Sequence, residues 1–298
     1  AAAPDWIDAY LQRTCAPPHH AALRAALAEG TALLLLDGLD EAGAARARVE
    51  EHVATVLAPR GHALLATSRP AGLDEAHFGA FHRLQLAPLS DEEQQRFLAR
   101  RLGAPRADAL AFYLRDRVPV DVETGLRVTS NPLMLSMVAS IADLRAGIAM
   151  PETTAALYET AAAAMLGRAE GRASDAVVAV LQAALFEAHA TSVRIVTRAH
   201  VDAAAARLGG GAARAADELV ALVQADQLPL VRLVQAEPLQ MQAFHLSFQE
   251  FYAMRAVCGG GVALPSFGWS SAWWTNAVLM GMQVGDAFGV RFVAAAGL

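Results

Sequence analysis

Three carboxylic acids follow an apolar run near the start of the chain, and their spacing suggests metal or phosphate chemistry. Asp37, Asp40 and Glu41 come directly after the apolar residues 32–36. A short apolar run bounded by turn residues predicts a buried strand, although the pattern also allows a piece of buried helix. Three carboxylates this close cannot all be buried without partners, because an unpaired buried charge is costly. A divalent cation that carries phosphate oxygens is the natural partner for such a cluster, and a solvated turn is the alternative.

A second apolar run is followed by a cation. Residues 62–67 (HALLAT) predict another buried strand, and Arg69 comes two residues after it. Residues 44–57, between the two runs, have apolar positions at helical spacing, so this span predicts a strand–helix–strand unit with a parallel pair. Parallel strands end at one edge of the sheet, where open α/β folds bind ligands. We therefore expect Arg69 beside the three acids, an arrangement suited to polyphosphate, while a surface arginine is the alternative.

The middle of the chain predicts a short third strand and then helices. Residues 81–86 alternate in polarity and predict the strand. A capping box that begins at Ser90 predicts a helix to about residue 102, and Asn131 before Pro132 predicts another towards residue 144. Further helices are predicted at residues 5–13, 19–29, 107–116, 151–168, 176–190, 200–207 and 215–225.

A hairpin and a closing helix follow. Residues 228–234 and 239–246 predict two strands, and Ser247 begins a second capping box that predicts a helix to about residue 257. Helices, a hairpin and a closing helix are together typical of a winged helix. His245 precedes the last helix, where the macrodipole favours an anion, and a purely structural histidine is the alternative. Residues 248–255, interpreted as the recognition helix, carry one basic residue and an acid, which favours protein packing over nucleic-acid binding.

Four motifs in this order resemble those of the NACHT family of signal-transduction NTPases, which belong to the STAND group and are related to AAA+ proteins. The family's extended Walker B motif is similar to LLLLDGLDEAG, and its sensor 1 to LLATSRP. The proline motif of its helical domain is similar to TSNPLMLSMVA, and its winged-helix signature to FHLSFQEFYAMRAV. The resemblance extends over roughly residues 5–257.

The resemblance implies an α/β fold followed by a mostly α fold. The C-terminal part of a NACHT NTPase core, with half of a P-loop NTPase parallel sheet, would occupy residues 1–88. A helical domain would follow at residues 89–150 and a winged-helix domain at residues 151–258. Residues 259–298 would begin a further helical segment or linker.

The resemblance also implies a role for each acid and for three further residues. Asp37 would hold Mg²⁺, Glu41 would orient the attacking water as the catalytic base, and Asp40 would support the metal or that water. The nucleotide would be contacted by Arg69 at the γ-phosphate, Pro132 at the adenine and His245 at the β-phosphate of ADP.

The family's phosphate-binding loop, G-x-x-x-x-G-K-[ST], is absent from the sequence. The chain contains no lysine, and Gly30 is the only glycine before Gly38. A phosphate cradle therefore cannot form ahead of the acids. The chain begins with Ala1 and not with methionine, so we expect a fragment of a longer protein that by itself binds nucleotide weakly or not at all.

The expected function is a molecular switch in which ATP and ADP, bound with Mg²⁺, control oligomerisation in signal transduction. Slow ATP hydrolysis would occur only in a protein that also has the P-loop. The expected partners are nucleotide, further copies through the NACHT region, and signalling proteins through flanking domains. One alternative is a degenerate or truncated scaffold that binds no nucleotide. A weaker alternative is a Mg²⁺-dependent phosphohydrolase that uses the acid cluster alone.

Charge, cysteine content and hydropathy restrict the remaining classes of function. The formal net charge of −6 predicts no general affinity for nucleic acid. The two cysteines, Cys15 and Cys258, are far apart and suggest a reducing, cytoplasmic compartment. No apolar run approaches the ~18 residues that span a bilayer, so no membrane association is expected.

Overall fold

Two regions of the chain fold around separate cores. The computed structural model describes residues 6–69, 74, 76–121, 124–144, 150–167, 173–265 and 272–297. It divides into an N-terminal unit, Ala1–Arg83, and a C-terminal unit, Leu84–Leu298. The described residues are mostly helical, with one small parallel sheet and one small antiparallel sheet.

A parallel pair of strands organises the N-terminal unit. Strand β1, Leu33–Leu36, pairs with β2, Ala63–Ala66, and Leu33 lies opposite Ala63. The connection between them is helical from Leu39 to Arg60, which confirms the predicted strand–helix–strand unit. The helices of this unit are α1, Trp6–Thr14, α2, Pro17–Glu29, and α3, Arg46–His52.

The parallel sheet is covered on one face. Leu34 and Leu36 pack against a small core that includes Leu27, Val53 and Leu57. The alternate side chains point away from that core, and 65% of Leu33, 65% of Leu35 and 55% of Leu65 remains exposed. This is unusual, because parallel sheets normally bury both faces.

The predicted third strand at residues 81–86 is wrong. Residues 82–90 have no regular secondary structure, and Leu84 and Leu86 are 88% and 97% exposed. An alternating pattern gives a segment only a preference for the extended form. A strand also needs a neighbour for its backbone groups, and none of the described strands pairs with this segment.

The C-terminal unit is built from helices around one continuous core. Its helices are α4, Asp91–Leu102; α5, Ala104–Asp116; α6, Pro132–Leu144; α7, Thr154–Gly167; α8, Asp175–Ala190; α9, Arg198–Leu208; α10, Ala212–Gln224; α11, Leu246–Gly259; α12, Thr275–Val284; and α13, Asp286–Ala296. Buried apolar residues of all ten belong to the same cluster.

The small antiparallel sheet lies within this unit. Strands β4, Val231–Gln235, and β5, Gln240–Ala243, form the predicted hairpin, which is thereby confirmed. A two-residue strand that the sequence did not reveal, β3, Val196–Thr197, pairs with the other side of β5. The strand order is therefore β3-β5-β4.

Local capping rules placed some helix starts correctly and others wrongly. The capping box at Ser90 is confirmed, and the Asn131 side chain accepts hydrogen bonds from the backbone of the first turn of α6. Helix α7 begins at Thr154 and not at Pro151, because the Thr153 hydroxyl accepts from the backbone N–H three residues on.

The second predicted capping box is wrong. Helix α11 begins at Leu246, with His245 as its N-cap, because the imidazole accepts the hydrogen bond from the backbone N–H of Ser247. Ser247 is itself inside the first turn. Its hydroxyl lies 2.7 Å from Nδ1 of His245, and a residue inside the helix is not its N-cap.

Helix α11 is also not an exposed recognition helix. Nine consecutive residues from Leu246 to Met254 are buried. Tyr158 of α7 contacts Phe248 edge to face and stacks on Phe251, with ring centroids 5.4 and 5.7 Å apart. A helix buried in this way cannot enter a DNA groove.

Candidate functional site

The ends of the two parallel strands are joined beyond the regular sheet. The N–H of Thr67 donates to the carbonyl oxygen of Leu36, and the N–H of Leu39 donates to the carbonyl oxygen of Thr67, both at 2.9 Å. The hydroxyl of Thr67 accepts from the N–H of Gly38 at 2.8 Å. The loop after β1 is therefore fixed against the residues that follow β2.

Asp37 is tied into this junction by the same threonine. The Thr67 hydroxyl donates to Oδ1 of Asp37 at 2.6 Å, and both residues are exposed to solvent. Sequence reasoning missed Thr67. The available signal was a hydroxyl residue at the end of the second apolar run, at the same level of the sheet as Asp37.

Asp40 and Arg69 form an ion pair. The backbone N–H of Arg69 donates to Oδ1 of Asp40 at 3.1 Å, and Nε of the guanidinium lies 3.5 Å from Oδ2. The side chain of Asp40 is only 11% exposed, and that of Arg69 is 34% exposed. The structure thus brings these two residues together at the sheet edge, and each neutralises the other. Pro70, the last residue of the LLATSRP motif, lies outside the described residues.

Glu41 is folded back over its own loop. Its backbone N–H donates to the carbonyl oxygen of Gly38, and a Cβ atom placed on Gly38 would lie 3.1 Å from the carboxylate of Glu41. Gly38 has φ +70°, a left-handed conformation that favours glycine. Both the backbone angle and the packing of Glu41 therefore require the glycine of the motif.

The donor set at this edge fits Mg²⁺ only in a limited way. Within the described residues, no group of three or more His, Cys, Asp and Glu side chains is placed to hold a metal ion. Mg²⁺ is often bound through one or two carboxylates together with phosphate oxygens and water. The exposed carboxylate of Asp37 suits that role, but the loop does not form a cage made of protein ligands alone. The phosphohydrolase alternative would need further ligands for the metal, and this loop gives it no support.

The other two candidate residues belong to the C-terminal unit. Pro132 is exposed at the first position of α6, directly after its cap Asn131. His245 is half-buried at the N-terminus of α11. The acids and Arg69 belong to the N-terminal unit, so the predicted site residues are divided between the two.

The hydrogen bonds of His245 fix the tautomer of its ring. Nδ1 accepts from the N–H of Ser247 at 3.2 Å and lies 2.7 Å from the Ser247 hydroxyl. A nitrogen that accepts from a backbone N–H carries no proton, so the neutral ring has its proton on Nε2. His245 is therefore a hydrogen-bond donor through Nε2, which is the chemistry that a phosphate oxygen requires.

Comparison with known proteins assigns no family to this chain. No protein-family model matches the chain, and no curated protein sequence matches it. Among the described residues, no helix is long and apolar enough to cross a membrane.

Proposed function

We propose that this chain is part of a NACHT-type NTPase and acts as a nucleotide-dependent molecular switch. The observation that carries the proposal is the junction at the carboxyl ends of β1 and β2. There, Asp37 is held by Thr67, and Asp40 is paired with Arg69. This is the edge at which open α/β sheets bind ligands, and the sequence places Walker B-like and sensor 1-like motifs there.

The order of elements in the C-terminal unit supports the winged-helix part of the proposal. A helix (α8), a strand (β3), two helices (α9 and α10) and a hairpin (β4 and β5) follow one another, as in a winged helix. In this order α10 would be the recognition helix. Its exposed face carries Asp217 and Glu218 beside Arg214, a balance of charge that disfavours contact with a phosphate backbone.

The residues at the sheet edge would act on nucleotide in distinct ways. Asp37, already oriented by Thr67, would hold the Mg²⁺ ion, which when bound neutralises charge on the phosphates. Arg69 would exchange part of its contact with Asp40 for the γ-phosphate. Glu41 would turn away from Gly38 to orient the attacking water.

The switch itself would depend on His245. An Nε2–H donor at the N-terminus of α11 suits the β-phosphate of ADP, because the helix end also attracts an anion. Loss of that contact on exchange for ATP would release the C-terminal unit and permit self-association.

The test is nucleotide binding and hydrolysis by the full-length gene product, with Asp37→Asn, Glu41→Gln and His245→Leu as variants. We expect the first two to reduce ATP hydrolysis at least about tenfold and the third to raise the assembled fraction in ADP. Glu51→Gln, at an exposed acid of the same unit that lies outside the motifs, is the matched control. Wild-type hydrolysis in both acid variants would refute the proposed roles. These 298 residues alone should bind Mg²⁺–ADP only weakly in calorimetry.

A scaffold that binds no nucleotide is the second candidate, and one observation favours it. Asp40 and Arg69 already satisfy each other, so the sheet edge is stable without a ligand. The two candidates differ in thermal stability, because a ligand that binds only the folded state raises the melting temperature. An unchanged melting temperature of the full-length protein in millimolar Mg²⁺–ADP would favour the scaffold.

A further inference from the structure

One face of α4 lines a wide surface cleft in the C-terminal unit. The cleft has a volume of about 790 Å³, and its described lining residues are Glu93, Arg96, Phe97, Ala99, Arg100 and Arg101. These positions recur every three or four residues, so most of them form one stripe along the helix. Phe97 and Ala99 are half-buried and give the cleft an apolar floor, and the arginines give it a positive rim.

Among the described residues, Arg96 and Arg100 have no carboxylate within ion-pair distance, in contrast to several other arginines of this unit. Arg106 pairs with Asp143 at 2.7 Å, and Arg127 pairs with Asp91 at 2.6 Å. Neither Arg96 nor Arg100 makes a hydrogen bond or ion pair with any side chain in the part of the chain that the structure describes. The chain as a whole is acidic, and these two exposed arginines leave positive charge available to a ligand along one stripe of α4.

The nearest acid in the cleft is already engaged. The Glu93 carboxylate accepts from the backbone N–H of Ser90 at 2.8 Å, which closes the capping box of α4. That backbone hydrogen bond is the main cause that lowers the pKa of Glu93, and the charge of Arg96 contributes least. Glu93 therefore acts mainly at the helix start, and its charge offsets the positive rim only in part.

The stability of α4 does not by itself explain why both Arg96 and Arg100 are present. Basic residues in a last turn stabilise the negative end of a helix, which gives Arg100 and Arg101 a structural role. Arg101 also donates to the hydroxyl of Ser140 at 2.8 Å. Arg96 lies in the middle of α4, beyond the reach of that effect.

The spacing of the two arginines indicates the ligand. Residues four apart on a helix have Cβ atoms about 5–6 Å apart. Side chains at alternate positions of an extended peptide repeat every ~6.6–6.8 Å on one face. Two carboxylates at such positions can each meet one guanidinium, and an apolar residue on the same face can contact Phe97.

We propose that the α4 cleft is a docking site for an acidic peptide segment with two carboxylates at alternate positions and an apolar residue beside them. Arg96 and Arg100 bind the carboxylates, and Phe97 contacts the apolar side chain. This surface does not depend on the nucleotide chemistry proposed above.

The test is fluorescence anisotropy with a labelled peptide that has glutamates at two alternate positions and a leucine two residues further on. We expect binding that weakens as salt is raised, since exposed ion pairs are screened. A peptide with glutamines in place of the glutamates should lose most of this binding. The double variant Arg96→Gln with Arg100→Gln should bind about tenfold or more weakly, because each exposed pair contributes up to about fivefold.

Two controls separate the docking site from general charge effects. Arg214→Gln removes an exposed arginine on α10 and should leave peptide binding unchanged. Inorganic triphosphate should displace the peptide poorly, because it cannot contact Phe97. Equal binding by the double variant, or equally strong displacement by triphosphate, would overturn the proposal. Circular dichroism of each variant checks that the helices are intact.

Discussion

The two units of this protein differ in the contacts that stabilise them. In the N-terminal unit, a two-stranded parallel sheet has one apolar face exposed, and the core beneath it is small. Polar contacts at the strand ends, such as Thr67 with Asp37, decide the local geometry. In the C-terminal unit, continuous apolar packing joins α4 to α13. Asp37, Asp40, Glu41 and Arg69 thus lie in the unit with the smaller core, whereas Pro132 and His245 lie in the unit with the larger one.

The largest expected effect is on the core of the C-terminal unit. Phe251 is 2% exposed and stacked on Tyr158, so Phe251→Ala should lower the free energy of unfolding of this unit by about 3–5 kcal/mol. Hydrogen exchange by mass spectrometry measures each unit separately, and peptides from β1 and β2 should keep their protection. Val290→Ala, at a residue 72% exposed, is the control. An equal loss of protection in both units would show that they unfold together. The two units would then not be stabilised separately.

A smaller effect is expected at the loop after β1. Gly38→Ala should destabilise the N-terminal unit by about 1–2 kcal/mol, because it combines a left-handed φ with close packing against Glu41. Gly61→Ala is the matched control, since Gly61 has φ +80° and no atom within 4 Å of an added Cβ. The two variants are compared by the hydrogen-exchange protection of β1. The difference between them measures how much the close contact with Glu41 contributes. Equal losses of protection would mean that the packing contributes nothing.

Acid should weaken the C-terminal unit through His200. Burial lowers the pKa of His200 and outweighs the opposite effect of Glu187. The unfolded chain, with a histidine pKa of about 6.5, then binds a proton more readily, so stability is full above that pH and falls below it. Urea midpoints at pH 8, 7, 6 and 5 should show this decline.

The matched variant for this effect is His200→Gln. Nδ1 of His200 accepts from the N–H of Thr197 at 3.0 Å, and a glutamine at this position can accept the same bond without titrating. The decline between pH 7 and 5 should therefore be shallower in the variant. An identical pH profile would exclude His200 as its source.

The smallest effect on stability is expected at the exposed sheet face. Leu35→Ser should change the free energy of unfolding by less than ~0.5 kcal/mol, because the side chain is 65% exposed. It should also reduce association measured by light scattering, since apolar surface is removed. Leu34→Ser, at the neighbouring residue that packs against the core, should instead destabilise the unit. A strongly destabilised Leu35 variant would show that this face is covered in solution.

Sequence rules predicted the fold well where neighbouring residues decide the outcome. The strands at Leu33–Leu36 and Ala63–Ala66 are short apolar runs between turns, and their helical connection favours a parallel pair. The capping box at Ser90 depends only on residues within one turn. The hairpin of β4 and β5 is likewise local.

The same rules were wrong where the outcome depends on distant partners. Residues 81–86 have the alternation of a strand, but no described strand supplies the backbone partner. The start of α11 was misassigned because an imidazole takes the place of the usual hydroxyl or carboxylate cap. Strand β3 is too short to leave a pattern and is fixed by its pairing with β5.

The candidate site was only partly predictable for a related reason. The placement of Asp40 and Arg69 at one sheet edge follows from strand direction, and the structure shows them paired there. The hydroxyl bond from Thr67 to Asp37 and the position of Glu41 over Gly38 depend on the geometry of the loop. The roles towards a nucleotide stay predictions for all six residues: Asp37, Asp40, Glu41, Arg69, Pro132 and His245.

The burial of α11 limits what the sequence of this helix can indicate about function. Phe248, Gln249, Glu250 and Phe251 are all buried, and the carboxylate of Glu250 accepts from Nδ2 of Asn276. Each of these side chains is therefore constrained by neighbours within its own unit. The requirements of folding alone would therefore preserve the SFQEF stretch, whether or not the protein binds a ligand. A match to this stretch is evidence about packing, and evidence about activity has to come from exposed residues such as Asp37 and Thr67.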